Sequence, residues 1–183
     1  MRYKRIFPHI FFAILVGVFV VLNNSGENKI NNPQINNVDV SAEIETAKVI
    51  KVIDGDTIEA SLNSKKETIR LIGIDAPEIV DPRRNVECFG KEALGKAKGI
   101  LNNRTIKLES DPTQGERDKY QRLLRYVFIE ELNVNKLMIS EGYAHEYTYQ
   151  NNPYKYMDDF KNAERTAREE NKGLWNKSTC KIP

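Results

Sequence analysis

Four carboxylates, Asp54, Asp56, Asp75 and Glu78, stand close together in the chain, with Arg70 between them and Arg122 further on. Taken singly, each acid reads as a turn residue, a position aspartate fills well because its side chain bonds the backbone two residues on. Gathered in one place they read differently, because clustered carboxylates repel one another unless a cation or an arginine compensates. Oxygen donors with no histidine or thiolate beside them suit calcium or magnesium rather than zinc. Outside a cell, calcium is the expected ion. Guanidinium, in turn, suits a phosphodiester, because its planar fork donates two parallel hydrogen bonds and stays charged at any working pH. Arg70 and Arg122 could hold one phosphate from two sides. Charge rises on the phosphate oxygens as a nucleophile adds, so fixed cations there favour the transition state over the ground state. The plainer alternative for Arg70 is a structural ion pair.

Composition narrows the chemistry further. The only histidines are His9 and His145, and His9 lies in a hydrophobic leader, so neither a zinc cluster nor a two-histidine acid/base mechanism can be assembled from the rest of the chain. The formal charge of +2 conceals 28 basic and 26 acidic side chains. Attraction to a polyanion must therefore come from how charge is arranged rather than from its total. A length of 183 residues with 40% hydrophobic content supports one core with extensions.

Strands and turns must position these groups. The run AKVIKVIDGDTIEASL sets Asp54-Gly55 between two β-branched segments, a hairpin pattern with Asp56 and Thr57 leading into the second strand. Glu67 to Ile74 reads as a third strand carrying Arg70, with Ile72 on the same face by alternation. Asp75, Pro77 and Glu78 then fall where that strand must leave the sheet. Thr105 to Glu109 and Leu123 to Ile129 supply two more strands, and Arg122 sits in the polar stretch just before the last. Helical spacing predicts helices over Gly90 to Asn102, Val134 to Glu141 and about Tyr156 to Asn171, the last followed by Gly173 and by Leu174-Trp175 turned back toward the core. The expected fold class is α+β, predominantly β: a five-stranded barrel of the oligonucleotide-binding (OB-fold) type with about three helices.

Residues 1–22 combine a positive start with an apolar run from Ile10 to Leu22, which reads as a signal peptide or an N-terminal membrane anchor, and the two alternatives stay open. Either one places the remainder outside the cytoplasm, secreted or tethered to the outer face of the membrane. Residues 23–45 are asparagine-rich and too poor in large apolar groups to offset their ordering entropy, so a flexible linker is expected. The folded unit is expected over residues 46–177, with 178–183 as a tail.

Three separated motifs carry a resemblance. Asp54-Gly55-Asp56-Thr57, then Arg-Leu-Ile-Gly-Ile-Asp-Ala-Pro-Glu from Arg70 to Glu78, then Asp118-Lys119-Tyr120-Gln121-Arg122, with Gly173-Leu174-Trp175 at the end, resemble the thermonuclease (staphylococcal or micrococcal nuclease) family in order and spacing. The resemblance implies a calcium-dependent nuclease that cleaves the 5′ P–O bond of DNA and RNA. It implies Asp56, Asp75 and the carbonyl of Ala76 as calcium ligands, Glu78 as the group acting on water, and Arg70 and Arg122 as the phosphate-binding pair, with Asp54 and Thr57 in support. Lys119, Tyr120, Tyr147 and Tyr149 match positions that contact substrate. Aromatic faces beside a basic groove serve unpaired strands well, so single-stranded nucleic acid is the expected preference, and the protein is expected to act as a monomer.

This chain departs from the best-known member of that family in having Gln121 and Leu123 where glycines flank the second arginine, and Ala76 where a threonine stands. It also has two cysteines, Cys88 and Cys180, where that member has none. In an exported chain an even count favours a disulfide tying the loop after the third strand to the C-terminal tail. Such a closure adds up to roughly 4 kcal/mol in the chain-entropy model. Two readings from other classes compete: a barrel that binds single strands without cutting them, and a calcium-stabilised scaffold. The first expects the charged set to have decayed, whereas it is intact, and the second leaves the two arginines without a task.

Overall fold

The structure is a computed structural model that describes residues 42–79 and 87–180. The expected leader and nearly all of the expected linker lie outside these residues. Among the described residues no helix is long and apolar enough to cross a membrane.

The chain runs through β1 (Ile44–Val52), β2 (Thr57–Leu62), β3 (Lys65–Leu71), β4 (Ile74–Asp75), α1 (Gly90–Leu101), β5 (Thr105–Glu109), β6 (Leu123–Ile129), β7 (Leu132–Asn133), α2 (Val134–Ser140), β8 (His145–Glu146) and α3 (Met157–Glu169). In β1, alternation buries Ala47 and Val49. A bulge between Val49 and Lys51 then shifts the register, so that Val52 rather than Lys51 faces inward. β1 and β2 form the expected hairpin, and β2 turns into β3 through Asn63-Ser64, both with positive φ as a tight two-residue hairpin turn requires.

The other edge of β1 pairs with β5, β5 pairs with β6, and β6 returns to β3 in parallel through Ile69↔Leu123 and Leu71↔Arg125. The strand order β3-β2-β1-β5-β6 thus closes on itself as a five-stranded barrel, which leaves no open edge among those strands. Ile58, Ile69, Leu71, Ile106, Leu108 and Val127 fill its interior. Three helices cover it. Ala93, Ala97 and Leu101 bury one face of α1, and Phe160, Ala163 and Ala167 bury one face of α3. Phe160 meets Tyr126 of β6 edge-on at 6.2 Å between centroids. The buried Asn135 stitches α2 to the barrel by donating to the carbonyl of Ile72 and accepting from the amide of Val127, both at 2.9 Å.

The fold class is the one expected, and the differences lie at element ends. The folded unit begins before Thr46, because Ile44 pairs with Glu109 and Glu45 reaches the buried guanidinium of Arg125 at 2.9 Å. The expected third strand ends at Leu71 and breaks at the Ile72-Gly73 turn, after which β4 pairs separately with β8. Ile72 therefore does not share a strand face with Arg70, since the alternation stops between them. Trp175 folds back only as far as α3 and β8, where Arg168 stacks on its ring at 3.8 Å and His145 meets it edge-on.

Candidate active site

The β1–β2 turn forms the floor of the site. Asp54 Oδ1 accepts the amide of Asp56 at 3.0 Å, which folds the turn locally. A Cβ at Gly55 would lie 2.5 Å from the Cβ of Ala76, so only glycine lets the segment leaving β4 cross the turn this closely. Asp56, 6% exposed, holds that crossing. Its Oδ2 accepts the amide of Ala76 at 2.7 Å, and its Oδ1 accepts the hydroxyl of Thr57 at 2.9 Å.

Arg70 closes the floor from the end of β3. Its Nη1 donates to the carbonyls of Leu71 and Ile74, and its Nη2 lies 2.9 Å from Asp75 Oδ1 and 3.1 Å from Asp56 Oδ2. One guanidinium therefore braces the turn into β4 and bridges two carboxylates. That is the ion pair of the plainer reading, but it is built into the wall of a cleft. Arg70 does not hold every carboxylate here in its ordinary range. Burial, followed by the charge of Asp56, pushes the Asp54 carboxyl up to about 7. Burial also raises Asp75, with Asp56 adding to the shift against the pull of Arg70.

Arg122 approaches from the loop between β5 and β6. Asp118 Oδ2 accepts its Nε at 2.7 Å, while Asp118 Oδ1 accepts the amides of Arg122 and Tyr120. Burial works to raise the Asp118 carboxyl, but the bonds from the Arg122 amide and guanidinium outweigh it and hold it below the usual carboxylate range. Nη1 of Arg122 reaches toward Thr57 Oγ1 at 3.4 Å. Gln121, where the resemblance leads one to expect glycine, keeps a left-handed φ of 65°, so the tight turn survives the substitution.

A cleft of about 420 Å³ joins these parts. Arg70, Asp75, Lys119, Tyr120, Arg122, Tyr147 and Tyr149 all line it. Tyr120 is largely exposed, with Lys119 and Arg122 both over its ring at 5.0 and 5.4 Å. Tyr147 and Tyr149 stand side by side with centroids 6.3 Å apart. Asp54, Asp56 and Glu78 are not part of the lining: the first two lie in the turn beneath it, and Glu78 follows on the segment leading toward α1. The cleft also includes Arg117 and Gln114. Arg117 pairs with Glu67 at 2.9 Å and donates to the carbonyl of Gln121 at 2.8 Å. Its place in the run Gly115-Glu116-Arg117-Asp118, beside a motif already singled out, was the available signal.

Among the described residues no three carboxylate, histidine or cysteine side chains converge as a metal cage. A cation here would depend on Asp56 and Asp75 with a backbone carbonyl such as that of Ala76 and with water, an all-oxygen set that fits a hard ion. Burial first, and the neighbouring Asp56 carboxylate second, disfavour the charged forms of Asp54 and Asp75, and a bound ion would offset both.

Residues 68–177 match the family described as Staphylococcal nuclease homologue, which is more than half of the chain. The chain belongs to the staphylococcal nuclease family. A Thermonuclease of Staphylococcus hyicus is 38% identical over 135 residues, covering 74% of this chain and 78% of its own. Endonuclease YncB of Bacillus subtilis is 34% identical over 85% of this chain and 72% of its own length. A Thermonuclease of Staphylococcus intermedius is 33% identical over 89% of this chain and 91% of its own. As a member of this family the chain is a nuclease, a hydrolase of phosphodiester bonds whose substrates are nucleic acids. The cysteines of this nuclease are joined: Cys88 and Cys180 form a disulfide across 92 positions of sequence.

Proposed function

We propose that this nuclease is a calcium-dependent, exported enzyme that cuts DNA and RNA by metal-assisted attack of water at phosphorus, with breakage of the 5′ P–O bond. The observation that carries the reading is the meeting of Arg70, Asp75 and Arg122, from three separate segments, in the wall of one cleft lined by three tyrosines. Asp56, Asp75 and the Ala76 carbonyl would hold the ion, which when bound would offset negative charge and acidify a water. Asp54 and Thr57 support Asp56 from the turn, through the Asp54 bond to the Asp56 amide and the Thr57 hydroxyl bond to Asp56 Oδ1.

Arg122 is oriented before substrate arrives, because Asp118 fixes its Nε and leaves the distal nitrogens toward the cleft. Together with Arg70 it grips the scissile phosphate and stabilises the charge that builds on its oxygens. Glu78 orients the attacking water and takes its proton. Breakage of the 5′ P–O bond then leaves a 3′-phosphate and a 5′-hydroxyl. Tyr120, Tyr147, Tyr149 and Lys119 bind the neighbouring nucleotides, and stacking on exposed rings favours unpaired strands.

The test is cleavage of single-stranded DNA, RNA and duplex DNA of matched sequence, with end-group analysis of the products. Faster cutting of unpaired strands with 3′-phosphate ends is expected. Equal rates on duplex and single strands would overturn the groove assignment, and 5′-phosphate ends would overturn the direction of cleavage.

A further inference from the structure

Glu78 sits on a short segment whose position is fixed from one side by Asp56, through the amide of Ala76. The other side is fixed by Glu87. The amide of Glu87 donates to the carbonyl of Glu78 at 2.9 Å, and Glu87 Oε2 accepts the amide of Glu78 at 3.0 Å. The two residues are thus locked in both directions through the Glu78 backbone. Gly90, the first residue of α1, extends the contact: a Cβ there would fall 2.3 Å from Ile79 Cγ2 and 3.2 Å from the carbonyl of Pro77. The Glu78 segment is therefore seated directly on the start of α1. Cys88, next to Glu87, is bonded to Cys180. The tail that carries Cys180 is itself anchored, because Leu174 donates to the carbonyl of Gly142 at 2.9 Å and the Asn176 side chain accepts the amide of Ser178.

We propose that the Cys88–Cys180 bridge and Glu87 form a redox-sensitive clamp that holds the segment carrying Glu78 in place after β4, so that turnover, and not substrate binding, depends on the bridge. Glu87 is a positioning residue: it acts on Glu78 and not on substrate. The release step is thiol–disulfide exchange with a dithiol. One thiolate of the reductant attacks a bridge sulfur and breaks the S–S bond, and the second thiol resolves the mixed disulfide. Cys88 and Cys180 gain two electrons and two protons as thiols, and the dithiol leaves as a cyclic disulfide. The groups lining the cleft make no direct contact with the bridge: Arg70 is held from β3 by the carbonyls of Leu71 and Ile74, Arg122 by Asp118, and Tyr147 by its amide bond to the Gly73 carbonyl.

The inference depends on Glu78 acting on water, so the experiment separates the two ideas. The full chain is assayed with calcium on a single-stranded oligodeoxynucleotide, oxidised and after dithiol treatment, alongside Glu87→Ala, which removes the acceptor of the Glu78 amide, Glu78→Gln and the Cys88→Ser/Cys180→Ser double variant. Binding of the same oligonucleotide is measured in chelator, and all rates are taken well below each protein's melting temperature. Reduction is expected to lower kcat by about tenfold to a hundredfold, the scale of a misplaced catalytic group, with oligonucleotide Kd within twofold. Reoxidation restores the rate, the double variant is slow and insensitive to the dithiol, and Glu87→Ala lowers kcat without raising Kd. Unchanged kcat in the reduced protein while Glu78→Gln is slow overturns the clamp alone. Full turnover by Glu78→Gln overturns the role of Glu78 and the clamp with it. A dithiol-induced fall of the same size in Glu78→Gln also overturns the clamp, because the loss is then global.

Discussion

Replacing Asp54 by asparagine should stabilise the metal-free protein at neutral pH. The carboxyl is pushed from 3.8 to about 7 by burial and by Asp56. A raised carboxylate pKa means that the folded chain holds the proton more tightly than the unfolded chain does. Below pH 4 both states are protonated and there is no cost. From about pH 4 to 7 the unfolded state ionises first, so folding loses stability as pH rises, and above 7 the loss stays constant. Three units at about 1.4 kcal/mol each set a ceiling of roughly 4 kcal/mol. Partial solvation of the turn brings the expected gain for Asp54→Asn to about 1–3 kcal/mol at pH 8, several degrees in Tm. Asparagine keeps the acceptor used by the Asp56 amide, so the turn itself survives. The assay is thermal unfolding in chelator from pH 4 to 8, comparing the two proteins. Their curves should converge near pH 4 and separate steadily to pH 7. Calcium should narrow the gap at pH 8, because an ion bound to the folded state compensates the same charge. Parallel curves across the whole range would refute the account of a buried carboxyl held up at this turn by desolvation and by Asp56.

Arg122→Lys should lower kcat about a hundredfold or more, because a point charge cannot supply the planar fork that Asp118 orients; single-turnover kinetics on single-stranded DNA would check this. Tyr147→Ala and Tyr149→Ala should each weaken binding of a single-stranded oligonucleotide by about 1–3 kcal/mol while leaving kcat nearly unchanged, a split that steady-state kinetics reads directly. Gln121→Gly should raise stability by up to about 1 kcal/mol, since a φ of 65° carries a steric cost that glycine lacks, and denaturant melts would measure it.

The barrel was legible because its strands alternate and its turns carry Asp-Gly at the β1–β2 hairpin and Asn103 after α1, where φ reaches 56°. The ends of strands were less legible. Nothing local marks the break after Leu71, which arises because the chain must turn at Ile72-Gly73 for β4 to reach β8 and for Arg70 to grip the Ile74 carbonyl. The start at Ile44 was hidden for a similar reason: Glu45 looks like linker until its long-range partner Arg125 is seen. Within the site, Arg70, Asp75, Arg122 and the tyrosines line one cleft, whereas Asp56 and Glu78, which the sequence groups with them, do not. The support behind them was not legible. Asp118 stands in a motif whose pattern gives it no task, and the hold of Glu87 on Glu78 spans nine positions that no periodic pattern connects. Pairing of the cysteines was readable from their number, whereas what the bridge adjoins was not.

Metal-assisted hydrolysis at a site built from Asp56, Arg70, Asp75, Glu78 and Arg122 is the reaction proposed for this nuclease. Its most direct test is the rate of single-stranded DNA cleavage by the full chain in calcium and in chelator, with Glu78→Gln and Arg122→Ala purified in parallel. Cleavage should require calcium and fall about a hundredfold or more in each variant. Activity that persists in chelator, or that both variants retain in full, would contradict the account.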